Sequence, residues 1–334
     1  MITALTGGTG FIGRHLVRRL LSDGENLRLL VRSPKRPDWL QESSAETVRV
    51  DLLDPSALKR ALTGCHRLYH LAAYARNWAP DDRAFYRINV EGFRNILEAA
   101  LAAGLQRVVY VSSSVVCGPS GSVPATEDNN RDQIPYFTAY EASKALSEKI
   151  IPEYLKRGLE IVVGRPTRVY GPGLMSEANS VTRLIKYYLK FRFCPVLKRG
   201  QQRGNYVYVE DVVTGLKLLM SGGRAGQAYF LGDENISLAG FYDLLEEVSG
   251  RRALRLAIPP SLALALARLE GWKARRLGIY PLITEGWVRT FLQDWEVSIK
   301  KAQNELGYQP RGLRAGLKAT CEWLGYRTKS SRQD

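Results

Sequence analysis

The chain has few of the residues that cross-link small proteins or hold metal ions. In 334 residues it has four cysteines and three histidines. The cysteines are far apart and form no C-x-x-C pair, and the histidines lack the spacing of metal ligands. The sequence therefore predicts neither a disulfide framework nor a metal site.

Long apolar runs are also missing. The longest, such as residues 262–267, are far shorter than the roughly 20 residues of a membrane-spanning helix. The first residues show neither the basic region nor the apolar region of a secretory signal. We therefore expect a cytoplasmic protein without an integral membrane segment.

Acidic residues are the minority among the charged ones. Asp and Glu total 33 against 48 Lys and Arg, which gives a net charge of +15. Such an excess favours anionic partners. The basic residues, however, form scattered pairs rather than a long run or a nucleic-acid module, so we expect solvated surface charge and no nucleic-acid partner.

What is present is the composition of a globular protein, with 45% hydrophobic and 24% charged residues. Through the first half, short apolar runs alternate with helical stretches. The predicted strands are residues 2–5, 27–31, 47–50, 67–71, 107–112 and 160–164, and the predicted helices are 11–21, 85–103 and 138–156. This alternation predicts an α/β fold with a parallel sheet covered by helices on both faces.

After Arg165 prolines interrupt this alternation. Helical stretches then dominate, at residues 181–189, 238–248, 261–269 and 298–306. The predicted architecture is therefore a doubly wound parallel sheet followed by a smaller, mostly helical C-terminal lobe that binds the substrate.

A glycine-rich turn joins the first predicted strand to the first predicted helix. Gly7, Gly10 and Gly13 follow the spacing G-x-x-G-x-x-G. Without side chains, the backbone can approach a pyrophosphate, which then lies on N–H groups at the positive end of the helix dipole. The turn predicts dinucleotide binding of the Rossmann type, and its spacing differs from the common G-x-G-x-x-G.

From Met1 to about Trp323 the sequence resembles the extended short-chain dehydrogenase/reductase superfamily, also called the NAD(P)-dependent epimerase/dehydratase family. After the glycine turn, the motifs that carry this resemblance are His70-Leu71-Ala72-Ala73, Asn89-Val90-Glu91-Gly92, Val109-Tyr110-Val111-Ser112-Ser113-Ser114, Tyr140-Glu141-Ala142-Ser143-Lys144, Arg165-Pro166, Val169-Tyr170-Gly171-Pro172 and Tyr208-Val209-Glu210-Asp211-Val212. Each is common by chance, but their shared order and spacing make the resemblance strong.

Tyr140 and Lys144 lie four residues apart on a predicted helix and so share one face. The ammonium can lie near the phenol and, with an oxidised nicotinamide, lower its pKa from about 10 toward 7. We therefore expect Tyr140 to act as acid and base, the alternative being a surface pair on an amphipathic helix. The resemblance implies that Lys144 also holds the nicotinamide ribose. It also implies that the Ser113 hydroxyl, narrowly preferred over that of Ser114, binds the substrate oxygen.

The second predicted strand bears on the choice of cofactor. An NAD-specific protein of this type places an Asp or Glu where Val31 stands. Arg32 and Ser33, with Lys35, suit the 2′-phosphate of NADP(H) instead. We therefore expect NADP(H), with NAD possible, and the alternative is a basic loop that contacts nothing. Further cofactor contacts that the resemblance implies are Gly7, Gly10, Phe11, Ile12, Gly13, Asp51, Leu52, Leu71, Ala72, Ala73, Asn89, Ser112, Tyr140, Lys144, Pro166 and Val169.

The branch of the family is predicted from positions at which this sequence differs from the family's usual motifs. The residues after Ser113 lack the acidic pair of the dehydratases. Arg168 stands where nucleotide-sugar epimerases usually have Asn, and Gly204-Asn205-Tyr206 replaces their Arg-Asp-Phe. The C-terminal region looks more like dihydroflavonol-reductase-like and 3β-hydroxysteroid-dehydrogenase-like members, which interconvert ketones and secondary alcohols. The expected function is such an oxidoreductase, and the alternative is an epimerase with tightly bound NAD whose Arg168 and Arg203 bind a diphosphate.

The same resemblance implies domain limits and partners. We expect residues 1–165 to form the NADP-binding domain, with 206–232 returning to it, residues 166–205 and 233–326 to form the substrate lobe, and 327–334 to be a disordered tail. A homodimer and a small-molecule substrate are expected. Residues 258–280 place leucines and Trp272 beside Lys273, Arg275 and Arg276. This segment is interpreted as a lid over a bulky apolar substrate, a peripheral contact with an anionic membrane, or an ordinary core helix.

Overall fold

The computed structural model describes residues 1–33, 38–41, 43–129, 131 and 134–328. The Lys35 prediction and most of the predicted tail lie outside these residues. The strands are β1 (Ile2–Thr6), β2 (Asn26–Val31), β3 (Glu46–Arg49), β4 (Arg67–His70), β5 (Arg107–Val111), β6 (Glu160–Pro166), β7 (Arg168–Tyr170), β8 (Phe193–Leu197), β9 (Arg203–Tyr208), β10 (Ala228–Leu231), β11 (Glu234–Ser237) and β12 (Leu254–Ile258).

The helices are α1 (Phe11–Ser22), α2 (Pro55–Leu62), α3 (Arg83–Tyr86), α4 (Gly92–Ala102), α5 (Ala139–Lys149), α6 (Ile151–Lys156), α7 (Ser180–Phe191), α8 (Val209–Gly222), α9 (Leu238–Ser249), α10 (Pro260–Leu277), α11 (Glu285–Phe291), α12 (Lys300–Leu306) and α13 (Leu313–Trp323). No α-helix in the described part of the chain is long and apolar enough to cross a membrane.

The main sheet is parallel and has the strand order β10-β6-β5-β4-β1-β2-β3. From β1 the chain first builds outward through β2 and β3, then returns to place β4 on the other side of β1. The order therefore reverses between β1 and β4. In open α/β sheets ligands bind at such a switch point, outside the carboxyl ends of the strands.

Both faces of this sheet are covered by helices. Successive strand residues point to opposite faces, so Leu5 packs with α1 and α8, whereas its neighbour Ala4 packs with α2, α4 and α6. Each face buries its own apolar cluster. The predicted doubly wound Rossmann-type fold is confirmed.

Two of the predicted helices are interrupted. The stretch predicted as 85–103 contains a π-helical turn, Arg87–Glu91, between α3 and α4. The stretch predicted as 138–156 breaks at Ile150 into α5 and α6, because Pro152 has no N–H to continue the helical hydrogen bonds.

The C-terminal lobe is helical but also contains two small sheets, which the sequence analysis does not predict. One has the order β11-β9-β7 and the other pairs β12 with β8. Their strands are only three to six residues long, and Pro195 lies within β8. The segment 206–232 is divided, because its first residues belong to β9 while β10 joins the main sheet beside β6.

Candidate active site

The glycine-rich turn lies at the switch point and has no room for side chains on its inner side. Gly7 has a φ of +74°, and a Cβ there would lie 2.6 Å from the backbone nitrogen of Ala72. A Cβ on Gly13 would lie 2.1 Å from the carbonyl oxygen of Gly7. A Cβ on Gly10, by contrast, would meet only the Gly7 oxygen, at 3.2 Å. The turn is therefore closed toward the protein and open on its outer side.

Hydrogen bonds join this turn to the end of β4. The Thr6 hydroxyl lies 2.8 Å from Nδ1 of His70 and accepts the N–H of Ala72 at 3.2 Å. Burial lowers the pKa of His70 to about 3, so its ring is neutral. His70 is thus a structural link between the ends of β1 and β4, and the predicted residues Leu71, Ala72 and Ala73 follow it directly beside the glycine turn.

The predicted serines follow β5. The backbone N–H of Ser112 donates to Gly164 of β6 at 2.8 Å, while its buried hydroxyl has no hydrogen-bond partner in the part of the chain that the structure describes. Ser113 precedes a short 3-10 turn, and its hydroxyl accepts the N–H of Val115 at 3.5 Å. The same hydroxyl is close enough to the Tyr140 phenol to lower its pKa.

Tyr140 lies in the first turn of α5, whose start is capped by Thr138. One turn later, Lys144 is buried and its Nζ donates to the carbonyl oxygen of Val111, the last residue of β5, at 2.8 Å. This ammonium also lies 4.2 Å from the ring centroid of Tyr110. The structure thus brings Ser113, Tyr140 and Lys144 together at the carboxyl end of β5.

Burial acts on both titratable groups in the direction that favours their neutral forms. It raises the pKa of Tyr140 to about 12, although the neighbouring Ser113 hydroxyl opposes this shift. It lowers the pKa of Lys144 to about 7, against the attraction of Glu148. The expected lowering of the Tyr140 pKa by Lys144 is therefore not found in the protein alone, because the cation is itself desolvated and bonded to Val111.

The other predicted cofactor residues occupy the edge around this group. Phe11 is buried and Ile12 half-buried at the start of α1. Asp51 is exposed after β3 and accepts the N–H of Leu53 at 2.9 Å. Arg32 is exposed at the end of β2. Leu52 packs beneath Gly92, and Pro166 and Val169 are buried at β6 and β7.

The sequence profile of the NAD dependent epimerase/dehydratase family matches residues 3–232. The chain belongs to this family. The predicted membership of the extended short-chain dehydrogenase/reductases, which are NAD(P)-binding oxidoreductases, is therefore confirmed.

Individual members of the family match over nearly the whole chain. A protein of Synechocystis sp., provisionally named dihydroflavonol 4-reductase, is 33% identical over 325 residues, which cover 96% of this chain and 93% of the relative. 3 beta-hydroxysteroid dehydrogenase type 7 of Mus musculus is 30% identical, with 99% and 98% covered. The crystal structure of gox2253 has a TM-score of 0.82 at 31% identity, with 97% and 98% covered. MoeE5 in complex with UDP-glucuronic acid and NAD has a TM-score of 0.76 at 26% identity, with the same coverage.

In this epimerase/dehydratase family member, Asn89 holds α5 in place. Its Nδ2 donates to the Ser143 hydroxyl at 2.9 Å, and its Oδ1 accepts the N–H of Tyr74 at 2.7 Å. Its carbonyl oxygen accepts the Ser147 hydroxyl at 2.7 Å. Ser143 and Ser147 lie on the helix face next to that of Tyr140 and Lys144, so the π-helical turn that contains Asn89 sets the position of Tyr140 and Lys144.

A buried ion pair that the sequence analysis missed also positions Tyr140. Arg131 and Glu141 are 2.7 Å apart, and both side chains are 3% exposed. Arg131 also donates to the carbonyl oxygen of Val115 at 2.6 Å, two residues after Ser113. The pair thus joins the start of α5 to the turn that follows Ser113. The sequence gives only a weak signal for this ion pair, because an acidic residue in the first turn of a helix is expected to be solvent-exposed near the positive end of the helix dipole.

A mostly apolar cavity of about 50 Å³ lies in the C-terminal lobe, lined by Leu197, Leu238, Trp287 and Phe291 among others. Arg168 also lines it. Its Nη1 donates to the Tyr206 hydroxyl at 3.0 Å, and its buried Nη2 has no partner among the described residues.

Helix α11 connects this cavity to the start of α5, which carries Tyr140. A Cβ on Gly286 would lie 2.4 Å from the carbonyl oxygen of Phe137, and the Thr290 hydroxyl donates to Glu141 at 3.3 Å. Trp287 directly follows Gly286, Phe291 directly follows Thr290, and both aromatic residues line the cavity. The cavity therefore lies next to the segment that carries Tyr140.

Proposed function

We propose that this protein is an NADP(H)-dependent oxidoreductase that interconverts a ketone and a secondary alcohol, with Tyr140 as the acid and base. The observation that carries this proposal is the arrangement of Ser113, which acts on the pKa of Tyr140, and the buried Lys144 one helical turn further along α5, at the carboxyl end of β5. The mostly apolar lining of the small cavity beside α11 supports an apolar contact with the substrate.

The residues at the switch point fit a dinucleotide. Gly10 is open on its outer side, and it begins α1 without a side-chain cap, so N–H groups of the first turn are free for a pyrophosphate. The unpartnered Ser112 hydroxyl lies at the end of β5, where the nicotinamide half is expected. NADP(H), when bound, supplies or accepts the hydride. Gly7, Gly10 and Gly13, with Ser112 and Lys144, would hold it.

The chain's own residues then account for the proton. In reduction the carbonyl carbon gains the hydride, and the Tyr140 phenol donates its proton to the carbonyl oxygen, which yields the alcohol. In oxidation the same phenolate removes the hydroxyl proton. Ser113 donates a hydrogen bond to the substrate oxygen as charge develops there. Lys144 in its protonated form stabilises the phenolate, which burial otherwise disfavours.

The preference for NADP(H) rests on the end of β2. Val31 is buried there, no carboxylate stands in its place, and Arg32 is exposed next to it. A guanidinium at this position suits a 2′-phosphate. We expect Arg32→Ala to weaken NADPH binding about 10- to 100-fold and to leave NADH binding unchanged. Equal NADPH affinity of the two proteins in a fluorescence titration would contradict this assignment.

The epimerase alternative requires Arg168 and Arg203 to face a diphosphate. Arg203 instead donates to Glu296 at 2.7 Å and to the carbonyl oxygen of Asn235 at 3.2 Å. Arg168 lines a mostly apolar cavity and donates to the Tyr206 hydroxyl. These partners favour the ketone reductase over the epimerase. Thermal protection by UDP-sugars, without protection by steroid-sized or flavonoid-sized ketones, would reverse this preference.

The central test is Tyr140→Phe, which keeps the ring and removes the proton. With a panel of ketones, we expect NADPH oxidation to fall about 10²- to 10⁴-fold while NADPH affinity is retained. Tyr136→Phe is the matched control, because Tyr136 is an exposed phenol on the segment that leads into α5. Near-normal turnover by Tyr140→Phe would move the acid/base role to another residue.

The domain limits and the homodimer also remain proposals. On α5, Leu146 is exposed, which is consistent with a helix that pairs with its copy. Light scattering of the purified chain tests the dimer directly, and a monomer at all concentrations would contradict it.

A further inference from the structure

Helix α10 has the opposite of the usual arrangement of large and small residues. Its buried residues are Ala263, Ala267 and Ala274. Leu262, Leu266 and Leu269 follow the spacing i, i+4, i+7 and so share one face, on which each is about half exposed. A helix that only packs on a core places its large apolar residues inward. The outer leucines of α10 are therefore not explained by the fold.

The exposed apolar surface continues beyond these leucines. Trp272 and Leu277 are more than half exposed at the end of α10, and Leu282 is 93% exposed in the segment after it. Leu262, Leu266, Leu269, Trp272 and Leu277 are called the α10 face below. Monomeric soluble proteins rarely expose so many neighbouring large apolar residues without a binding partner.

The strand that leads into α10 adds to this surface. Leu254 and Leu256 of β12 are two residues apart and lie on one side of the strand, where both are exposed. Leu254 is paired in register with Phe193 of β8, which is exposed as well. Strand β12 thus directly precedes α10 in the sequence, and both the two-stranded sheet and α10 expose apolar residues.

The charges beside the α10 face are mainly positive. Helix α10 contains Arg268, Lys273, Arg275 and Arg276 but only one acidic residue, Glu270. Glu270 is paired with Lys273 at 2.7 Å, and Arg268 with Glu285 at 3.6 Å, which leaves Arg275 and Arg276 without an ion pair in the described part of the chain. The whole chain has a net charge of +15. Exposed leucines and a tryptophan beside arginines match the anionic surface of a lipid bilayer.

The α10 face also lies close to the cavity of the C-terminal lobe. Leu197 and Trp287 line that cavity and also pack in the cluster that contains Ala263 and Ala267. One layer of side chains therefore separates the cavity from the inner side of α10. A surface that binds lipid here would bring the C-terminal lobe, with its cavity, close to the bilayer.

We propose that the α10 face binds the surface of an anionic lipid bilayer, with α10 lying in the plane of the interface and Arg275 and Arg276 contacting lipid phosphates. This binding does not depend on the proposed reductase activity. The leucines enter the boundary between headgroups and acyl chains, and the remainder of the protein stays outside the bilayer.

The test is co-sedimentation of the full chain with vesicles. Vesicles of phosphatidylcholine with about one third phosphatidylglycerol are compared with phosphatidylcholine alone, at about 0.1 M salt. We expect binding to the anionic vesicles, with weaker binding to the neutral ones and at high salt. The triple variant Leu262→Gln, Leu266→Gln, Leu269→Gln should partition at least about 100-fold less. Arg275→Gln with Arg276→Gln should lose the preference for anionic lipid.

The substituted leucines are outside the acid/base group and the cavity lining, so NADPH binding should be unchanged in the triple variant. Val123→Gln, at an exposed apolar residue elsewhere on the surface, is the control and should bind vesicles as the unchanged protein does. Failure of the unchanged protein to sediment with anionic vesicles would overturn the proposal, and so would equal binding by the triple variant. A dimer that the triple variant converts to monomers, without vesicle binding, would assign the face to a second copy of the chain instead.

Discussion

The buried Lys144 should make the protein less stable at neutral and acidic pH than it would be without this residue. Lys144 is 1% exposed, and its Nζ has one protein hydrogen bond, to Val111. Burial of the ammonium lowers the pKa of Lys144 from 10.5 to about 7 in the folded protein. Folding therefore disfavours the protonated form of Lys144, which is the form that the proposed mechanism requires.

The sign and size of the effect follow from proton linkage. Below the folded pKa of about 7, both the folded and the unfolded chain carry the proton, and the full cost of burying the charge is present. As the pH rises from there toward 10.5, the unfolded chain binds more protons than the folded chain, so this cost is relieved and stability rises. Between about pH 6 and about pH 9 the relief amounts to about 2.5 kcal/mol. His70, whose pKa is lowered from 6.5 to about 3, and Asp233, whose pKa is raised to about 7, also change the stability of the protein with pH. The difference in stability between the unchanged protein and a Lys144 variant is therefore the quantity that reports on Lys144.

Lys144→Met isolates this contribution, because methionine fills most of the same volume without a charge. Equilibrium unfolding in urea is measured for both proteins across this pH range. The stability advantage of Lys144→Met should be largest at about pH 6 and should shrink by about 2.5 kcal/mol by about pH 9, while turnover is lost. The control is Lys149→Met, at an exposed lysine on the same helix, which should show no such trend. A constant difference between Lys144→Met and the unchanged protein would refute a lowered pKa at this site.

Two further substitutions test the supports of the site. Gly13→Ala places a Cβ 2.1 Å from the Gly7 oxygen, so the turn must move. We expect the free energy of unfolding to fall by about 1–3 kcal/mol and NADPH binding to weaken. The control is Gly121→Ala, whose Cβ meets nothing within 4 Å and which should change neither quantity. Glu141→Leu leaves the buried Arg131 charge unpaired and should cost about 3 kcal/mol in urea unfolding, and adding Arg131→Met should recover much of that stability. Wild-type stability of the Glu141→Leu single variant would show that the pair does not hold the start of α5.

The cofactor half of the fold could be predicted from the sequence because its signals are local. Gly7, Gly10 and Gly13 mark a turn whose geometry only glycine allows, and short apolar runs separated by helices predict parallel strands. The four-residue spacing of Tyr140 and Lys144 likewise places both on one helix face. All of these signals lie within a few residues of one another in the sequence.

The remaining features depend on contacts between distant segments. Strand β7 has three residues and pairs with β9 about 40 residues later, so neither shows a periodic pattern of its own. Arg131 and Glu141 are separated by a loop, and nothing in the sequence shows that both become buried. Helix α10 continues eight residues past the predicted end at Leu269, because Gly271 does not stop a helix whose inner face packs on α11.

The residues of the proposed reaction and the residues that line the cavity belong to different parts of the molecule. Ser113 follows β5 directly in the chain, and Lys144 is bonded to Val111 at the end of β5, so the main sheet sets the positions of both residues. The cavity walls come from β7, β8, α7, α9 and α11, and the two strands among them pair in the small sheets rather than in the main sheet. If the proposed function holds, substitutions at Trp287 or Phe291 should change substrate preference without displacing Tyr140. The family motifs lie mostly on the sheet and its flanking turns, which explains why the sequence predicts the reaction class more closely than the substrate.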